Sequence, residues 1–178
     1  MNGSNFEALF HVLNSEQQIL MRTDQKAFTL MSILGVFMVF FIIHFLKIQI
    51  NWVTVTLVLI YFIAALISII NLVLVIVPRI RNDRPLDDSP EVNATFFGGI
   101  SQFNSSQEYA TYLKEVAEDD EKMYNMFSNQ VFALGKINKY KNSALKKAIM
   151  YFAIAIISEL LIIMYMAWSR ALPFLFSG

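Results

Sequence analysis

The chain contains no cysteine. That excludes disulfides, thiol nucleophiles, cysteine-ligated zinc and iron–sulfur clusters, and it suits a protein facing a reducing cytosol. Histidine is scarce too, with only His11 and His44 present. No Ser/His/Asp constellation accompanies them, so the sequence supports neither a catalytic residue nor a metal site, and no enzyme activity or cofactor is expected. Walker A and GxGxxG patterns are missing, and Gly98-Gly99 is too weak to serve as a phosphate loop. Net charge is absent as well. The 14 Lys+Arg balance 14 Asp+Glu, which removes the basic excess expected of a nucleic-acid binder. The first 26 residues mix both signs of charge, and the apolar run after them is too long for a signal-peptide core, so no secretory signal is read.

What is abundant is apolar surface, at 56% hydrophobic residues and a mean hydropathy of +0.51. Those values move a chain of this length from soluble globule to membrane protein. Residues 27–46 and 52–77 carry no formal charge, and each is long enough to cross about 30 Å of hydrocarbon as a helix. Only residues 47–51 separate them, which forces an antiparallel hairpin. A third run, 148–168, has spanning length and one charge, Glu159, with Tyr151 and Trp168 near its ends as interfacial aromatics.

The polar segments also read as helical. In residues 1–26, Phe6, Leu9, Phe10, Leu13 and Leu20 share one helical face, with Ser4 as the N-cap and Glu7 three residues on. Pro78 ends the second span. Residues 83–93 hold Pro85, Pro90 and four carboxylates, the composition of an exposed linker. Ser105 to Glu108 forms a second capping box, opening a pattern that runs from Tyr109 to Leu145 and breaks at Glu118-Asp119-Asp120-Glu121. A helical hairpin or kink is expected at that break, with the second arm entering the third span directly. Pro173 is expected to end any helix continuing into the tail, residues 169–178.

The architecture expected is therefore an all-α membrane protein. It has a cytoplasmic amphipathic helix (1–26), a transmembrane hairpin (27–77), a cytoplasmic helical region (78–147), a third transmembrane helix (148–168) and a short outer tail (169–178). Twelve Lys and Arg flank the spans on the side of the N-terminus and residues 78–147, against Lys47 and Arg170 on the other. The positive-inside rule places the former side in the cytoplasm and the C-terminus outside. The sequons at Asn93 and Asn104 then lie on the cytoplasmic side, where glycosylation carries no weight.

Several local patterns stand in order on this topology. Arg22, Asp24, Lys26 and Ala27 lead into the first span; Pro78-Arg79 closes the second; Phe96-Phe97-Gly98 follows the linker; Gln130, Leu134, Ile137, Lys139-Tyr140-Lys141 and Leu145 precede the third. Taken together, over roughly residues 16–167, they resemble the transmembrane effector family of the bacterial Pycsar antiphage systems, and the related SLATT-type membrane effectors. The resemblance implies a sensor for a cyclic nucleotide, a cyclic pyrimidine mononucleotide in the Pycsar case, made by a partner cyclase during phage infection. Binding would trigger disruption of the bacterial inner membrane and growth arrest.

Two groups of site residues follow. Arg22, Lys26 and Arg79 meet at one membrane level and are candidates to hold a phosphate, with Asp24 orienting a cation, Lys139 and Lys141 joining them, and Tyr140 or Phe97 stacking on a base. The plain alternative is a stop-transfer cluster with local ion pairs. Glu159 is the second candidate. A mid-span carboxylate costs about 2.5–3.5 kcal/mol on insertion scales, so such a residue faces a cavity or a partner helix. Counted from Ala148, it lies about 16 Å deep, near the bilayer centre. It lines a pore in a homo-oligomer, or, protonated, it hydrogen-bonds to Ser68 or another helix and serves assembly only. His44 is expected to snorkel, too far in depth to pair with Glu159, and Ser32 and Asn71 to bond between helices. Two other function classes stay open: a non-catalytic adaptor whose cytoplasmic helices bind a protein, and a constitutive small channel or transporter.

Overall fold

A computed structural model describes the backbone of residues 3–45, 51–77 and 97–176, and the side chains of 6–45, 51–77, 99–169 and 171. Arg79, the Pro78 stop, the 83–93 linker and the hairpin loop 46–50 lie outside the described residues, as does the side chain of Phe97. Apolar periodicity and the scarcity of internal Gly and Pro leave the chain little choice but helix. Among the described residues the elements are α1 (Gly3–Phe45), α2 (Trp52–Ile76), α3 (Phe97–Ile100), α4 (Ser106–Glu118) and α5 (Asp120–Phe176), with no strand. Helices α1, α2 and α5 are each long and apolar enough to cross a membrane.

Both polar arms run without a break into their spans, as the sequence led us to expect. The ends differ from expectation in two places. Helix α1 begins at Gly3, so Ser4 falls inside it rather than capping it. At the other end α5 continues through Pro173 to Phe176. One missing backbone bond in the last turns of an apolar helix does not unwind it, because local adjustment satisfies the freed carbonyl.

The chain forms two compact units, residues 1–22 with 78–140 and residues 23–77 with 141–178. In the first, Ser105 caps α4 by accepting the Glu108 amide at 3.1 Å, and the Glu108 carboxylate takes the Asn104 amide at 2.9 Å. The expected break falls at Asp119, where one carboxylate oxygen accepts the amides of Glu121 and Lys122 and starts α5. Val116 and Met126 then meet across the turn, surrounded by Phe103, Tyr109, Tyr112, Leu113, Met123 and Phe127. This is the hairpin alternative. The amphipathic part of α1 adds Phe10, edge-on to Phe127 at 4.7 Å, and Glu16, which accepts an Asn138 side-chain N–H at 2.6 Å.

In the second unit the three apolar helices pack through small residues. Ala27, Ala144 and Ala148 sit with Leu72, Val75 and Leu145 in one cluster, and Ala64, Ala65 and Ala155 with Leu34, Phe41, Tyr61 and Ile162 in the other. Lipid is as apolar as leucine, so these helices associate by close van der Waals fit and interhelical hydrogen bonds rather than by escape from water. Small side chains permit that approach. The remaining apolar residues, among them Phe28, Val36, Phe40, Ile63, Leu66 and Leu160, point outward, as a lipid-facing surface requires.

Candidate functional site

Three hydrogen bonds fix the register of the second unit. Ser68 Oγ donates to the Ala148 carbonyl at 3.0 Å, and the Asn51 side chain donates to the Tyr165 hydroxyl at 2.5 Å. These two bonds show α2 and α5 antiparallel. Lys141 Nζ lies 2.6 Å from Asp24 Oδ1, next to a Thr23–Asn142 contact at 3.4 Å, and Leu34 and Phe41 further on cluster with Ala155 and Ile162, which sets α1 and α5 parallel.

The first candidate group is only partly assembled. Asp24 and Lys141 form an ion pair in which the lysine side chain is 6% exposed and the carboxylate 32%. Lys141 is therefore committed to Asp24 and is not a free phosphate ligand; the cation that Asp24 orients is this one. Lys26 and Asn142 are exposed on the same unit. Arg22 and Lys139 are exposed and Tyr140 half-buried, all three belonging to the other unit. Breaking a buried pair of this kind by removing one partner costs about 3–5 kcal/mol, less where one partner is wetted.

The second candidate, Glu159, is 2% exposed and points into the three-helix interior, not toward neighbouring chains or lipid. Ser68 is not its partner. The Ser68 hydroxyl is spent on the Ala148 carbonyl, eleven residues or roughly 16 Å along α5 from Glu159. The register also gives Glu159 a level on α2. It is six residues, roughly 9 Å, from the Asn51–Tyr165 bond at the hairpin-loop end, level with Leu57 of α2.

Tyr61 of α2 is fully buried, and its ring stacks on Phe41 with centroids 4.1 Å apart and planes 14° apart. By register Tyr61 lies level with residue 155, about one turn from Glu159 along α5. By register His44 is within about one turn of Glu159 in depth, nearer than expected, although its Nδ1 bonds the Phe40 carbonyl at 2.8 Å. Neither Glu159 Oε2 nor the Tyr61 hydroxyl has a hydrogen-bond partner, and both are buried. Leaving such groups unpaired costs about 1–3 kcal/mol each, more for a charged group. Ser158, also buried, bonds the Ile154 carbonyl of its own helix. Ser32 and Asn71 do likewise, to Phe28 and Ile67, so neither bridges helices.

Sequence reasoning missed Tyr61 altogether. A tyrosine in an apolar run reads as an ordinary membrane aromatic, and only its level opposite α5 reveals its neighbour. Asn51 was missed as well, although Asn51 and Thr54 have capping-box spacing: the Asn51 side chain accepts the Thr54 amide at 2.9 Å and the Thr54 hydroxyl accepts the Asn51 amide at 3.0 Å. Among the described residues no group of His, Asp and Glu is placed to hold a metal ion.

No curated protein and no solved structure matches the chain significantly. The Pycsar effector protein domain matches residues 8–168, which takes in both units and all three spanning helices. By that match, over nearly the whole chain, this protein belongs to the Pycsar effector family.

Proposed function

We propose that this protein is a ligand-gated effector of a Pycsar antiphage system. A cyclic nucleotide, a cyclic pyrimidine mononucleotide made by a partner cyclase, binds its cytoplasmic residues and triggers permeabilisation of the bacterial inner membrane by a homo-oligomer. The observation that supports this reading is the coincidence of a family match over residues 8–168 with three spanning-length helices in one chain. A membrane effector of such a system needs an anchor in the bilayer and a sensor outside it, and the chain has material for both.

The phosphate is assigned to the exposed cations Arg22 and Lys139, with Tyr140 stacking on the base. Lys141 stays with Asp24. Helix α5 carries both Lys139 and Glu159, so a ligand that repositions its cytoplasmic arm acts on the same helix that holds the intramembrane acid.

The test is leakage of dye and ions from liposomes containing the purified chain, challenged with cyclic CMP, cyclic UMP, cyclic purine mononucleotides and cyclic oligonucleotides. Leakage with one pyrimidine nucleotide, lost in Arg22→Ala and Lys139→Ala with unchanged insertion, is the expected result. Leakage without ligand would mark a constitutive channel. Silence with every nucleotide would favour a protein-binding adaptor.

A further inference from the structure

Among residues 27–45, 52–76 and 148–168 the only acidic side chain is Glu159, and the three-helix unit turns it inward. The lipid-facing side offers nothing comparable. Its exposed or partly exposed polar side chains Thr29, Ser32, His44, Thr56 and Asn71 each bond a carbonyl one turn back on their own helix. The interior holds Glu159, the Tyr61 hydroxyl, Ser158, Ser68 and Thr54 at successive depths, all at most 4% exposed. An oligomer that opened a path between the present outer faces would line it with side chains unable to hold an ion or compete with its hydration.

Two of the interior groups are unsatisfied. Glu159 Oε2 and the Tyr61 hydroxyl are buried without partners, and Tyr61 lies in the cluster that holds the small residues Ala155, Ala64 and Ala65. A side chain kept only for packing would be apolar, and one kept only for assembly would be bonded. A buried acid and a buried phenol hydroxyl about one turn apart in depth suit a partly dehydrated cation or a water file, the first held by the carboxylate and the second by both. We propose that the path opened on activation is lined by the face of α1, α2 and α5 that is now interior, with Glu159 and Tyr61 as its selective site for small monovalent cations. This rests on the permeabilising reading above and adds to it the lining and the class of permeant.

The cysteine-free chain makes the test direct. Full-length protein in planar bilayers, activated with cyclic CMP or cyclic UMP, is compared as Ala155→Cys (interior) and Val39→Cys (lipid-facing) under a charged methanethiosulfonate reagent, and as Glu159→Gln and Glu159→Asp without it. The expected result is current through Ala155→Cys falling at least threefold on modification while Val39→Cys is unaffected. Cation-over-anion selectivity falls at least fivefold in Glu159→Gln and is retained in Glu159→Asp. Modification at Val39 but not Ala155, or selectivity unchanged in a folded Glu159→Gln, overturns the proposal while leaving permeabilisation intact. Absence of any wild-type current overturns both.

Discussion

At the scale of single residues the most consequential contact is Lys141 to Asp24. The ammonium is nearly dry, the carboxylate one-third wet, and the 2.6 Å separation is that of a charge-assisted hydrogen bond. Asp24→Asn leaves that ammonium without an anion. Its thermal unfolding in detergent should show a loss of about 2–4 kcal/mol, the lower part of the range for a broken buried pair because Asp24 is partly solvated. The double change Asp24→Leu with Lys141→Leu should recover most of the loss, since an apolar pair carries no desolvation cost. If the double variant is no more stable than Asp24→Asn alone, the pair is not what holds α1 and α5 together at this level. Both residues stood out in the sequence as part of a charged cluster. That they satisfy each other, rather than a ligand, depends on positions 117 residues apart in the chain meeting at one level.

At the scale of elements the start of α2 is held twice by one side chain. Asn51 accepts the Thr54 amide and donates to the Tyr165 hydroxyl, so it both caps the helix and ties it to α5. Asn51→Ala should lower stability by about 1–2 kcal/mol and speed amide exchange at Thr54. Tyr165→Phe, which loses only the interhelical bond, should leave Thr54 exchange near the wild-type rate. Equal acceleration in the two variants would show that the cap is not independent of the α5 contact. A cap is a local motif and its spacing was present in the sequence; the tie to Tyr165 was not visible there, because it requires the register of two helices to be known. The α4–α5 break is the converse case. Four successive acids at residues 118–121 marked it, and Asp119 forms it by the ordinary chemistry of a helix N-terminus.

At the scale of the whole molecule, charge asymmetry carries the orientation. With twelve Lys and Arg on one side of the spans and two on the other, insertion with the N-terminus and residues 78–147 in the cytoplasm is expected. In intact spheroplasts an impermeant maleimide should label Trp52→Cys, at the highly exposed start of α2, and leave Ser106→Cys, at the start of α4, unlabelled until the cells are broken. The opposite pattern would invert the topology and move the ligand-binding reading outside the cell.

The sequence by itself determined that the chain is helical, that three segments have spanning length, where the polar helices start and break, and which family's order of motifs it carries. Those properties depend on composition and on spacing within a few turns, both of which are local. Only the tertiary structure decided that Lys141 belongs to Asp24, that Ser68 bonds the Ala148 carbonyl, and that Glu159 and Tyr61 are both buried with unpartnered oxygens. Partners across helices depend on register. Sliding one helix by a single turn, roughly 5.4 Å, leaves every local pattern unchanged and exchanges every partner.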